Sequence, residues 1–326
     1  MMEVKGKLDL LARSLSVAGI MLAAIPGVAR AGEGTVPAGP IGGTDIAQAL
    51  PLPAGVYGAL YGAVADATKW YGPDGETETH KAHLLAGGFG LGVVYPVTIF
   101  GGSVRSSIAA GYEQTCARFS GPAQCTHGAR DLYSDIFFWS RFFPSADYSS
   151  QPEGSHIPYG LAVGFGLGVN FPTGQYSTNQ WVNVGSNVYD FAPSIAVTYN
   201  MRSLLGNYFG QATEFSGRLF LNTYTKNHAH NYQSGMMPSL DFAVTERNNN
   251  WQYGIAGFAY YQIQDDVVDG VNIGNRSKLL ELGPLVSYTF KAAGRPMNLT
   301  AKALFAIDGR NTPFSSSLFV RLATKF

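Results

Sequence analysis

The chain has 326 residues, a net charge of +0 and 13% charged residues, against about 25% in ordinary soluble domains. The neutral balance removes the electrostatic case for nucleic acid, and 46% hydrophobic residues with a mean hydropathy of +0.02 are too few for a bundle of apolar helices. Polar and apolar residues must therefore alternate finely, and 40 glycines with 13% aromatics suit strands that carry aromatic girdles and lean inner faces.

At the N-terminus, Lys5, Lys7 and Arg13 precede an apolar run from Leu15 to Ile25, and Ala29-Arg30-Ala31 is a small-x-small cleavage pattern. Residues 1–31 read as a secretory signal peptide, the run being short for a membrane anchor. Residues 32–52, rich in Gly, Pro and Ala without a sustained period, read as a periplasmic lead-in or plug-like arm, with a solvated linker as the other reading. Residues 53–326 then carry strand patterns throughout.

Pro53-Ala54-Gly55 opens a strand predicted over Val56–Ala65, and Trp70 to Gly75 begins a turn-rich loop. Leu84 to Gly102 passes without a charge, so a helical span competes there. Its glycines and Pro96 favour instead two strands joined at Tyr95-Pro96-Val97, the second reaching about Tyr112. Cys116 and Cys125, nine apart in a polar segment, are expected to form a loop disulfide in an oxidising compartment. An aromatic-rich strand follows over Asp131–Phe143, then a Pro/Ser/Gly connection to residue 157.

The clearest strand is Tyr159–Phe171. Tyr159, Leu161, Val163, Phe165, Leu167, Val169 and Phe171 form a bulky face, and Gly160, Ala162, Gly164, Gly166, Gly168 and Asn170 a nearly bare one. In a soluble sandwich the bulky face would meet another in a core. Here the arrangement suits a bulky face toward hydrocarbon and a lean face toward a lumen.

The alternation recurs to the C-terminus. Phe191, Ile195, Val197 and Tyr199 oppose Asp190, Ser194 and Thr198; Phe215, Leu219 and Leu221 oppose Glu214, Arg218 and Asn222; Leu318, Val320, Leu322, Thr324 and Phe326 share the last outer face. The count comes to about twelve. The fold class is all-β, a transmembrane antiparallel β-barrel of the bacterial outer-membrane type, closed because no backbone polar group may sit unpaired in lipid. Pro193, Pro238 and Pro284 fall on outer faces and require bulges or strand ends nearby. A terminal strand ending on Phe326 resembles the signal by which the outer-membrane assembly machinery recognises barrels.

Several stretches together resemble the family of outer-membrane transporters described as taking part in the meta-pathway of phenol degradation. They are Pro53-Ala54-Gly55-Val56-Tyr57, Asn170-Phe171-Pro172-Thr173-Gly174-Gln175-Tyr176, Phe191-Ala192-Pro193, Tyr260 to Asp266, and Gly283-Pro284-Leu285-Val286-Ser287-Tyr288. The resemblance implies a barrel that admits hydrophobic or aromatic compounds.

The predicted lumen mixes charges and rings: Arg218, Asp241, Glu281 and Arg321, with Glu214, beside Phe220, Tyr224, Phe258 and Tyr260. Aromatic walls would pass planar solutes between charges that set orientation; equally, the charges would pair across the lumen and fill it. Thr173, Tyr176 and Trp181 mark an outer loop that is either a constriction, a binding lip or a satisfied surface turn. All six histidines are expected in connections, and no nucleophile elbow or phosphate loop is present, so no enzyme, metal site or cofactor is expected. The function expected is a monomeric outer-membrane channel for passive uptake of small hydrophobic or aromatic compounds. A structural or surface-interaction barrel with a filled lumen, and thirdly an outer-membrane hydrolase, are the alternatives.

Overall fold

The computed structural model describes residue 37 and residues 43–118, 121–146 and 159–326. The expected signal peptide lies outside the described residues, as do parts of the N-terminal arm and of the connection from 144 to 157. Twelve long strands are present: β1 Gly55–Tyr71, β2 Lys81–Ile99, β3 Gly102–Arg118, β4 Leu132–Pro144, β5 Gly160–Phe171, β6 Asp190–Arg202, β7 Ala212–Tyr224, β8 Met237–Asn248, β9 Trp251–Tyr261, β10 Lys278–Ala292, β11 Arg295–Arg310 and β12 Thr312–Lys325. Each pairs antiparallel with its neighbours in sequence, and β12 returns to pair with β1 from Tyr57↔Lys325 to Tyr71↔Thr312, which closes the barrel. Phe326 extends the seam by donating its N–H to the Val56 carbonyl at 2.9 Å.

Closure turns the bulky rows outward. Leu60, Ile195 and Ile255 are 62%, 61% and 58% exposed, while the residues between them, such as Ala196 and Ala256, are fully buried. That is the reverse of a sandwich core and the pattern that hydrocarbon around the barrel requires. Rings gather outside near both rims: Trp251 lies 4.5 Å from Tyr288 near one, and Tyr189 stacks 6.2 Å from Phe191 near the other.

The expected turn at Tyr95-Pro96-Val97 is not there. β2 runs on through these residues, and the chain reverses at Phe100-Gly101, both at positive φ, 49° and 74°. A two-residue turn of this hand matches the twist of the flanking strands and needs two left-handed residues, which a proline cannot supply. Pro96 is instead accommodated where the β2–β3 register shifts, between Val94 and Thr98. β1 likewise continues past Ala65 to Tyr71, across a bulge between Ala67 and Lys69.

The other prolines sit at similar interruptions. Pro238 is the second residue of β8. At Pro193 the β6–β7 pairs skip from Phe191↔Thr223 to Ser194↔Phe220, and at Pro284 the β10–β11 pairs skip from Leu282↔Phe305 to Leu285↔Lys302.

The start of β1 and the end of β12 lie at one end of the barrel, here the terminal end. There the turns at 100–101, 249–250 and 293–294 are tight and the connection 203–211 is longer, whereas the opposite, loop end carries the connections 72–80, 121–131, 172–189, 225–236 and 262–277. The Cys116–Cys125 disulfide fastens the short strand Gln124–Ala129 to the upper part of β3. Tyr232–Gln233, Val267–Val268 and Val271–Asn272 make a small separate sheet at the same end.

Next to Pro284, β11 crosses β10 so closely that a Cβ on Gly283 would stand 1.8 Å from the Ala303 carbonyl oxygen. Gly283→Val should therefore force these strands apart, costing about 1–3 kcal/mol or more. The expected outcome is a reduced share of the fast-migrating folded band when unheated protein is run in detergent gels.

Candidate functional site

The lumen is built in three levels. Nearest the terminal end, residues 43–50 run inside the barrel and bond to opposite walls. Ala47 N–H donates to Glu214 Oε1 at 2.8 Å, Ala49 N–H to Thr198 Oγ1 at 3.1 Å, and Thr44 gives its N–H and hydroxyl to Asp241 Oδ2. From the other side, Arg105 donates to the Gln48 carbonyl at 2.8 Å, Arg321 to the Gly43 carbonyl at 3.0 Å, and Lys302 pairs with Asp45. The Asp45 and Lys302 side chains are each 2% exposed, so this pair is out of water. Removing either partner would leave a buried charge unanswered, at about 3–5 kcal/mol.

The second level is a stack of guanidinium groups and rings. Arg218 donates to Asp135 Oδ2 at 3.0 Å and Oδ1 at 2.6 Å, a two-point contact across the lumen from β7 to β4. Its guanidinium lies 4.5 Å from the rings of both Phe138 and Phe220, and that of Arg105 lies 4.3 Å from Phe138. A bulge at Ile136 allows Asp135 and Phe138 both to face inward, since an extra residue resets the alternation. The bare face of β5 then has its reason: a Cβ on Gly164 or Gly166 would come within 2.6 or 2.8 Å of the Phe138 ring.

The third level, toward the loop end, is a cavity of about 390 Å³. Trp181, Tyr224, Phe258, Tyr260, Leu279 and Phe319 supply its apolar wall, and Glu113, Arg130, Asn170, Asn183, Glu281 and Thr312 its polar groups. Pro37 also reaches it. That volume and mixture, mostly apolar with a few placed polar groups, is what a small organic ligand requires.

Two side chains draw the 172–189 loop inward over this cavity. Asp131 accepts from Gly174 N–H at 2.8 Å, Ser186 N–H at 2.8 Å, Ser186 Oγ at 2.6 Å and Asn170 Nδ2 at 3.2 Å. Gln124 Oε1 accepts from the N–H groups of Trp181 and Val182, both at 3.0 Å. Gln124 lies beside Cys125, so the disulfide fixes the strand from which this contact is made.

The predicted site residues thus divide among the levels. Tyr224, Phe258, Tyr260, Glu281 and Trp181 meet at the cavity; Arg218 and Phe220 lie in the stack; Asp241 and Arg321 hold the arm. Thr173 is an exposed anchor whose Oγ1 accepts from Leu132 N–H, and the Tyr176 hydroxyl accepts from Asn227 Nδ2, both away from the cavity wall. Sequence reasoning missed Asp131, Gln124, Asp135, Phe138, Lys302 and Asp45. A bulge hides inward residues from any two-residue count, and the arm has no period to follow. Histidines were expected only in connections, yet His83 lies on β2, bonded to Asp66 Oδ1 at 2.7 Å, and His127 in the Gln124–Ala129 strand. Among the described residues no cluster of three His, Cys, Asp or Glu is set to hold a metal.

A profile of the family described as "Putative MetA-pathway of phenol degradation" matches residues 76–322. Among solved structures, an outer membrane channel from Pseudomonas putida F1 superposes with a TM-score of 0.69 at 16% identity, over 86% of this chain and 99% of that one. The β domain of the Bordetella autotransporter BrkA follows at 0.44 and 12% identity, over 84% of this chain and 100% of that one. The first shares the fold; the second is too distant to support an argument. No curated protein matches the chain.

Asp131→Ala should release the loop over the cavity, and limited proteolysis within 172–189 should speed up by about tenfold or more, since surface segments without such ties are cut first. Asp266, in the 262–277 connection, accepts from Tyr232, Gly235 N–H and Gln262, and burial raises its carboxyl above the ordinary aspartate range. A folded value above the unfolded one means that its contribution is fully present at low pH and lost as pH rises through the folded value. The Gly235 amide should accordingly show a falling hydrogen-exchange protection factor across that rise.

Proposed function

The chain belongs to the family described as the MetA-pathway of phenol degradation, and from that premise we propose that it is an outer-membrane channel for passive uptake of small hydrophobic or aromatic compounds. The observation that carries the reading is the cavity at the loop end, walled by Trp181, Tyr224, Phe258, Tyr260 and Phe319. Residues 1–31 act as the export signal, the terminal end faces the periplasm, and the terminal strand with Phe326 is the segment read by the assembly machinery. The barrel works as a monomer surrounded by outer-membrane lipid. No cofactor enters the scheme, and the solute moves down its gradient.

The reading as a non-enzyme is supported by the solved structure that shares the fold, which is an outer membrane channel.

A second reading, a barrel with a filled lumen, is favoured by the arm and the Arg105–Phe138–Arg218 stack. The two readings part on whether the arm yields. Passage from the cavity to the terminal end requires residues 43–50 to move, and the Asp45–Lys302 pair is their principal buried tie.

Lys302→Ala should free the arm at a cost of about 3–5 kcal/mol to its seating, and planar-bilayer recordings should show open events several times more frequent than in the unaltered protein. Unchanged recordings would favour the filled barrel. Phenol should also shift tryptophan emission of the purified protein, excited at the red edge of indole absorption, and Trp181→Phe should remove most of that shift.

A further inference from the structure

We infer that Glu281 selects the solute by charge, so that the cavity takes neutral aromatic molecules carrying a hydrogen-bond donor and turns away aromatic carboxylates. The inference rests on the reading of this cavity as the solute site. Glu281 projects from β10 into the cavity wall beside Phe258, its partner across the β9–β10 ladder. Ser315 Oγ donates to its Oε1 at 2.5 Å, and no protein group among the described residues donates to its Oε2.

The other charges around the cavity are already answered. Glu113 faces Arg130 at 3.4 Å, Asp66 faces His83 at 2.7 Å, and Asp131 accepts from three donors of the overlying loop and from Asn170 on β5. Lys302, the cation that bears on Glu281 from below, is held by Asp45. Glu281 therefore presents the cavity with an acceptor whose charge is not cancelled by a bound cation. An aromatic hydroxyl can donate to Oε2 while its ring lies against Phe258 and Tyr260. A carboxylate of the same size would bring a second negative charge within a few ångströms of the first in a partly apolar cavity, and like charges so placed are disfavoured.

The test is calorimetric titration of the purified full-length barrel in detergent with phenol and with benzoate at neutral pH, for the unaltered protein, Glu281→Gln and Ser315→Ala. The unaltered protein should bind phenol at least about tenfold more tightly than benzoate. Glu281→Gln removes the charge and keeps the shape, and should bring the two within about twofold. Ser315→Ala keeps the carboxylate and should retain the full preference. Folding of each variant is checked by the mobility difference between unheated and heated samples. Equal binding of both solutes by the unaltered protein, a preference that survives in Glu281→Gln, or its loss in Ser315→Ala overturns the assignment to Glu281 alone. Binding of neither solute by the unaltered protein instead overturns the cavity as a solute site.

Discussion

The structure depends on one constraint: inside hydrocarbon every backbone N–H and C=O needs a partner, and a sheet meets that demand only by closing on itself. The β12–β1 ladder is where the demand is met, and the outward rows of Leu, Ile, Val and ring side chains follow from it. The same constraint governs the exceptions. Three of the wall's departures from regular pairing lie where a proline lacks the N–H that the ladder would use, at positions 96, 193 and 284. A fourth, at Ile136, has no proline and serves the lumen instead, by turning both Asp135 and Phe138 inward.

A closed wall of twelve strands leaves a lumen that must be either wet or filled. This barrel fills its lower part with groups that bond one another across the lumen. Arg218 gains two carboxylate oxygens and two aromatic faces, and the arm lends backbone N–H groups to Glu214 and Asp241. Polar pairs of this kind contribute little net stability compared with apolar packing, because desolvation offsets most of the Coulomb attraction. Their consequence is specificity of placement. The arm has one seat, in which the N–H groups of Thr44, Ala47 and Ala49 and the carbonyls of Gly43 and Gln48 each meet a named partner. Above that seat the cavity is left open by default, and the loop drawn in by Asp131 and Gln124 gives it a boundary.

The family implied by the residue motifs is the one whose profile the chain matches, and the all-β transmembrane fold was legible in the same residues. Alternation over Leu161–Leu167 and over Leu318–Phe326 gave the strand faces correctly, because a two-residue period maps directly onto two sides of a sheet, whereas Tyr159 and Val169, expected outward, are buried. Phe220, Phe258 and Tyr260 were legible as inward residues for the same reason. Where the alternation is broken by a bulge, as at Asp135 and Phe138, or absent, as at Asp45, the inward groups were invisible. The hairpin placed at Tyr95-Pro96-Val97 fails for a related reason: a proline reads as a turn by composition, while the two left-handed residues that make this one are Phe100 and Gly101.

What the sequence determined alone was the solvent on each side of the sheet, since side-chain size and polarity are fixed residue by residue and the strand period distributes them. It also determined closure, because lipid leaves a strand edge no other partner. Which lumen groups meet was decided only by the tertiary structure. Arg218 and Asp135 are 83 residues apart, and Asp45 and Lys302 are 257 apart. Their meeting depends on strand register, on one bulge and on an arm folded back inside the ring. Those are properties of the closed barrel, and no local pattern in the chain encodes them.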